Sequence, residues 1–366
     1  MTPLRVGALC GRMWSLQHRV YRLPFRQTVR TAHGPWTERT GVLIRVRRTR
    51  EGLVDTGWGE VAPIPWFGSE TLEEACAALD RLEERATDLA DVLARTPAGC
   101  SATRAGLAAA LGMDRVGEEC GNGSEADTVK FLPVAALLPA GRAALDAVES
   151  RLELGFRTFK WKVGVLPADD EQALFDDLLG RLPAGARLRL DANGAWDRLV
   201  AERWLALAAD RPVEYIEQPV APDARGAEDL LHGLAADFPV KIALDESVNG
   251  ADDVARWLAA DWRGVWVLKP ALLGEPGPVL VGLAKARADV VFGSALETAV
   301  GARAALRLAF AWAEARGGEP MARRALGFGV WPLFQTAAAD LPLAGPFVRR
   351  EDVERINPEA LWNELA

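Results

Sequence analysis

The chain has 366 residues, about half of them hydrophobic, and a formal charge of -8 spread along its length. That suffices for one barrel with a large core plus a smaller domain. The acidic balance gives no nucleic-acid footprint, and no apolar run approaches the roughly 18 residues of a membrane span or forms a signal-peptide core, so a cytoplasmic protein is expected.

Residues 1–65 read as β-rich, with "VYRLPF", "GVLIRVRR" and "DTGWGEVAPIP" separated by turns. Residues 70–111 are Ala-, Leu- and Glu-rich and predict helices. The polar, Gly-containing stretch 112–129 reads as a loop or linker. From Phe131 onward, short apolar strands alternate with amphipathic helical stretches. The strands are "FLPVAALLP", "FRTFKWKVG", "RLRLDANG", "VEYIEQPV", "VKIALDES", "GVWVLKPALLG" and "VVFGSALET", with a weak eighth in "ALGFGV" at 325–330. Such alternation implies βα units and a parallel sheet. A closed barrel is favoured over an open doubly wound sheet, which would carry a Gly-rich phosphate turn after its first strand. The tail "PFVRREDVERINPEALWNELA" returns to mixed polarity and is expected to pack back on the N-terminal domain.

Four cysteines (Cys10, Cys76, Cys100, Cys120) form no C-x-x-C pair, and three histidines (His18, His33, His232) are scattered. A zinc site and a Ser-His-Asp triad both lack parts, which leaves Lys, Asp and Glu to carry any chemistry. Three successive strands end in acids: Asp191, Glu217 and Asp245, spaced 26 and 28 residues apart, one βα unit per step. Asp191 or Asp245 alone would serve as a helix N-cap. Three at one barrel mouth repel unless a cation sits among them, and oxygen-only ligation suits Mg²⁺, with Mn²⁺ as substitute.

Lysines flank these acids in barrel order. Lys160 and Lys162 precede them by one unit, and Lys269 follows Asp245 by 24 residues. Lys160 and Lys162 share one strand face, with Trp161 on the other. A lysine is a poor base at pH 7, with a pKa near ~10.4, but a second cation two residues away and a nearby divalent ion disfavour its charge. The like-charged pair is therefore unfavourable as structure and useful as chemistry. A lysine base beside a metal suits removal of a proton α to a carboxylate, the ion stabilising the enediolate.

"TFKWKVG", "LDANGAW", "EYIEQP", "ALDES", "VLKP" and "GSALETAVG", in this order, resemble the enolase superfamily, muconate-lactonising-enzyme subgroup. "GWGEVAPIPWFGSET" at 57–71 narrows the resemblance to the o-succinylbenzoate synthase family. The resemblance implies an α/β fold: a (β/α)7β modified TIM barrel over 130–335, an α+β capping domain over 1–129, and a C-terminal segment, 336–366, returning to the cap. It implies Asp191, Glu217 and Asp245 as metal ligands, Lys162 as general acid/base, Lys160 as its pKa-tuning neighbour, and Lys269 as a stabiliser of the enediolate. Asn193 and Glu246 would orient ligands or lysines. Ser294, with Gly293 and its neighbours, would bind the succinyl end of the substrate, and a loop near Thr28–Trp36 would close over the site. The implied reaction is Mg²⁺-dependent dehydration of 2-succinyl-6-hydroxy-2,4-cyclohexadiene-1-carboxylate to o-succinylbenzoate, a step towards menaquinone or phylloquinone. The expected partner is a small carboxylate, and no protein partner is deducible. The rival readings are racemisation of N-succinyl amino acids at the same metal site and a barrel that binds without catalysis.

Overall fold

The alternating apolar and charged residues of the N-terminal stretch form an antiparallel meander. Its strands are β1 (Gly7–Leu9), β2 (Arg12–Thr31), β3 (Gly34–Arg50) and β4 (Leu53–Val61), paired in chain order. The structure, a computed structural model, describes residues 7–9, 12–31, 34–50, 53–85, 89–113, 129–316, 324–341 and 345–365. Val42, Ile44 and Val46, spaced by two, are buried against α1 (Leu72–Arg85) and α3 (Ser101–Leu111), with α2 (Leu89–Arg95) between them in the chain. Glycines set the intimacy of the β4–α3 contact. A Cβ at Gly59 would stand 1.9 Å from the Gly106 carbonyl oxygen, and one at Gly57 equally close to that of Ala110. The "DTGWGE" run is thus a strand stripped on one face to admit a helix backbone. Most of the expected 112–129 linker lies outside the described residues. The expected closing loop at Thr28–Trp36 is instead largely strand: Val29 pairs with Trp36, Arg30 with Pro35 and Thr31 with Gly34.

The second half is the barrel. β6 (Ala136–Leu138), β7 (Thr158–Lys162), β8 (Arg187–Asp191), β9 (Val213–Glu217), β10 (Ile242–Leu244), β11 (Val265–Leu268) and β12 (Asp289–Phe292) form one seven-stranded parallel sheet in sequence order. The helices α4 (Ala143–Glu153), α5 (Ala168–Arg181), α6 (Arg198–Ala208), α7 (Ala227–Asp237), α8 (Ala251–Ala259) and α9 (Pro276–Lys285) connect them, and α10 (Ala299–Ala315) follows β12. One set of alternating side chains, including Phe159, Trp161, Leu188 and Leu190, is buried in the main core outside the barrel wall. Trp161 meets Trp204 of α6 there, ring centroids 6.4 Å apart. The other set faces inward around a small apolar plug of Tyr215, Ala243, Val265, Val267 and Val291. Lys160 and Lys162 belong to this inward set.

The weak eighth strand is real but short. Leu326 bridges Val134 and Gly327 bridges Gly293, both in parallel sense, which closes the barrel. Charges hold this closure. Arg189 donates to the Ala325 carbonyl at 2.7 Å and to Glu214 at 2.6 Å. Arg324 bonds Asp289 at 2.6 and 2.8 Å and also reaches Glu214, while Lys241 pairs with Asp289 at 2.7 Å. Burial pushes the Glu214 and Asp289 carboxyls up, but these cations outweigh it and hold both below the ordinary range. Their stabilising share is therefore fully present above about pH 4.5 and lost as the pH falls through the depressed folded-state values.

One further expectation needs correction. "FLPVAALLP" is not one strand: β5 (Phe131–Pro133) pairs antiparallel with β13 (Phe347–Arg349) of the tail, and only β6 joins the barrel. The tail in turn divides. β13 lies beside β5, and α11 (Arg350–Arg355) begins with Arg350 bonded to Glu314 of α10 at 2.6 Å. α12 (Pro358–Glu364) reaches the cap, its Trp362 lying against Trp58 and beneath Arg19 and Arg45, and Asp340 upstream pairs with Arg26 of β2 at 2.9 Å.

Arg324→Met leaves Glu214 and Asp289 short of a buried partner. It is expected to lower unfolding free energy by about 3 kcal/mol in urea denaturation, with the loss diminishing below pH 4 as those carboxyls protonate.

Candidate active site

Strand register builds the site. Lys162 of β7 is level with Asp191 of β8, and Asp191 with Glu217 of β9. Asp245 follows β10 directly and Lys269 follows β11, so all five stand at the C-terminal mouth of the barrel. One step lower, Lys160 is level with Arg189, and Arg189 with Tyr215.

The like-charged pair on β7 is explained by what its first member touches. Lys160 Nζ lies 2.5 Å from Glu217 Oε1 and 2.8 Å from Asp191 Oδ2. Burial works against its charge, yet Asp191, Glu217 and Asp245 hold the ammonium well above the usual lysine range. Lys160 is thus a fixed cation two residues from Lys162 on the same strand face. Lys269 pairs with Asp245 and sits 4.6 Å over the ring of Phe67, a residue of the cap.

The acids show the cost of crowding. Burial pushes the Glu217 carboxyl well above the carboxylate range, and the charges of Asp191 and Asp245 add to it. Glu246 is pushed up to about 7 by burial, then by Asp245 and Asp191. Among the described residues, no three acidic, His or Cys side chains converge at ligand spacing, and Lys160 and Lys269 are paired with Asp191, Glu217 and Asp245. Three buried oxygens nevertheless lack a hydrogen-bond partner: Glu217 Oε2, Glu246 Oε2 and Asn193 Oδ1. Unpartnered, oxygen-only donors among mutually repelling carboxylates fit a hard divalent cation.

Asn193 sits at a positive φ of 45°, which Asn tolerates better than most residues. Its amide donates to Glu246 Oε1 at 3.0 Å, and its N–H faces Asp191 Oδ1 at 3.3 Å, so it ties two strand ends together. Gly293 lies at the closure seam: a Cβ on Gly327 opposite would stand 3.2 Å from its Cα. Ser294, just beyond, bonds Glu297 within its own loop.

Residues that the sequence did not single out complete the frame. Gln218, fully buried, accepts from the N–H groups of Asp245 and Ser247 and donates to Val220 O and Ser247 Oγ. Its amide in "EQP", directly after a ligand candidate at an apolar strand end, was the available signal. Glu60 and Arg39 of the cap, both buried, bind the 295–301 segment; nothing local marks them, because their partners lie more than 230 residues away.

Two families match the chain. "MenC, N-terminal domain" covers residues 13–111, and "Enolase C-terminal domain-like" covers residues 143–335. An o-succinylbenzoate synthase of Thermosynechococcus vestitus is 39% identical over 335 residues, which is 88% of this chain and 96% of that protein. The chain belongs to the o-succinylbenzoate synthase family of the enolase superfamily. The crystal structure of o-succinylbenzoate synthase from Thermosynechococcus elongatus, complexed with Mg in the active site, matches with a TM-score of 0.74 at 36% identity, covering 95% of this chain and 99% of that one. The N-succinyl Arg/Lys racemase of Bacillus cereus has the same TM-score at 16% identity, covering 94% and 97%, and shares the fold. No helix among the described residues is long and apolar enough to cross a membrane.

Glu217→Gln removes a buried charge from the acid cluster and neutralises a partner of Lys160. Isothermal titration with Mg²⁺ is expected to show affinity reduced at least about tenfold; unchanged affinity would place the ion elsewhere.

Proposed function

We propose that this chain catalyses the o-succinylbenzoate synthase reaction, the dehydration of 2-succinyl-6-hydroxy-2,4-cyclohexadiene-1-carboxylate, in menaquinone or phylloquinone biosynthesis. The observation that carries the mechanism is the level row of Lys162, Asp191 and Glu217 on adjacent strands, with the Lys160 cation directly beneath. Asp191, Glu217 and Asp245 would hold Mg²⁺, which when bound supplies positive charge to the substrate carboxylate; Mn²⁺ suits the same oxygen set.

Lys162, two residues from the Lys160 ammonium on the same strand face, takes the hydrogen from the carbon bearing the carboxylate. The electron pair left behind moves into the ring as the C6–O bond breaks. The Lys162 ammonium returns its proton to the departing hydroxyl, which leaves as water, and the ring becomes aromatic. Lysine, acid cluster and protons all return to their starting state. Lys269 adds fixed positive charge from the far side of the mouth.

That placement favours dehydration over racemisation of N-succinyl amino acids, which needs a second base opposite Lys162. Lys269 lies 4.6 Å over the ring of Phe67, a cation–π contact that suits a group supplying positive charge to an enediolate. Intact acids and lysines also argue against a barrel retained only for binding. We place the activity in the cytoplasm, which the unpaired Cys76 and Cys100 support.

Purified protein with Mg²⁺ is expected to consume the diene chromophore of the substrate, with chelator abolishing turnover and added Mg²⁺ restoring it. No turnover by folded, metal-bound protein would move the substrate to N-succinyl amino acids. Lys162→Ala is expected to lower kcat by roughly 10²–10⁴-fold with circular dichroism and Mg²⁺ affinity retained. A variant that still turns over at the wild-type rate would assign the base elsewhere.

A further inference from the structure

The segment from Gly293 to Thr298 runs from the end of β12 into α10, and the cap fastens it at both ends. Arg39, 1% exposed, donates to the carbonyls of Leu296 and Ala295 from the barrel, and to those of Ala62 and Pro63 from its own domain. Glu60 accepts from the N–H groups of Thr298 and Gly301, from the Thr298 hydroxyl, and from the Tyr21 hydroxyl at 2.6 Å. Both cap side chains are thereby spent. Between them lies Glu297, wholly buried, with Oε2 accepting from Ser294 Oγ at 2.9 Å and Oε1 without a hydrogen-bond partner.

A serine hydroxyl has one hydrogen to give. Here it goes to Glu297, while the Ser294 oxygen accepts from the Leu296 N–H at 2.9 Å. In this state Ser294, which is 9% exposed, has no hydrogen left for a carboxylate, and its oxygen would repel one. If Glu297 carries a proton, the order reverses. Its O–H donates to Ser294 Oγ, and the serine hydrogen turns outward to a carboxylate.

We infer that Glu297 is a positioning residue that decides whether the Ser294 hydroxyl donates into its own loop or to a carboxylate arm of the substrate. The groups that act on Glu297 from the cap are Tyr21 of β2 and Glu60 of β4, and neither neutralises it, since Glu60 is itself an acid; Arg39 of β3 bonds the neighbouring carbonyls of Ala295 and Leu296. Burial, followed by the Glu60 charge, pushes the Glu297 carboxyl up to about 7, despite its contacts with Ser294 and nearby backbone. Carboxylate binding should therefore be linked to proton uptake at this residue and should weaken as the pH rises through 7.

This inference rests on the o-succinylbenzoate synthase reading, so the test uses binding of o-succinylbenzoate itself to the Mg²⁺-loaded protein, followed by calorimetry from pH 6 to 9. The Kd of wild type is expected to rise about tenfold more over this range than that of Glu297→Gln, whose amide donates to Ser294 Oγ at every pH. Ser294→Ala, which keeps Glu297, is expected to show the weaker affinity throughout, with the wild-type difference gone. The same pH dependence in wild type and Glu297→Gln would overturn the inference while leaving the reaction intact. No binding by wild type at any pH would overturn the substrate assignment, and this inference with it.

Discussion

Repulsion among carboxylates at one barrel mouth is the constraint around which this molecule is arranged. Asp191, Glu217, Asp245 and Glu246 come together because their strands are parallel, adjacent and in register. Burial makes each charge more expensive than it would be in water. Lys160 and Lys269 reach in from either side and offset part of that charge, and the same crowding makes the place attractive to a divalent cation. A site that is strained as a salt-bridge cluster is well prepared as a metal and proton-transfer site.

The barrel interior below the mouth follows a second electrostatic rule. Arg189 points inward under the site, 4.9 Å over Tyr215, and its charge is passed through Glu214 to Arg324 and Asp289. That chain ties the closing segment to β8, β9 and β12, where two backbone bridges join it among the described residues. The cap meets the opposite end of the barrel. Its contribution is both a wall, through Phe67, and a fixed frame for the 294–298 segment, through Glu60 and Arg39.

The N-terminal domain is therefore more than a cover. Trp36 packs edge-on against both Phe25 and Trp66, and Phe25 stacks on Phe334 of the barrel side at 5.5 Å. These aromatics, with the buried contacts of Glu60, fasten the cap to the 293–301 segment and to Phe334 of the barrel side. Changes in cap residues should be felt at the mouth even where they touch no substrate.

The sequence by itself determined the βα order, the strand-end acids and the shared face of the two lysines. Strand alternation has a fixed period of two, and one βα unit has a nearly fixed length, so Lys160 and Lys162 could be placed on one face of a strand and Asp191, Glu217 and Asp245 at the ends of successive strands. The short motifs around them are continuous in the chain and carried the family. Only the tertiary structure decided which long-range partners those side chains take. It showed that Lys160 bridges Asp191 and Glu217, that "FLPVAALLP" divides between two sheets, that the tail splits between barrel and cap, and that Glu60 finishes a helix 238 residues further on. Local periodicity reports which face a residue occupies. It holds no information about which distant donor will satisfy a buried carboxylate, since that choice is made by packing two domains together.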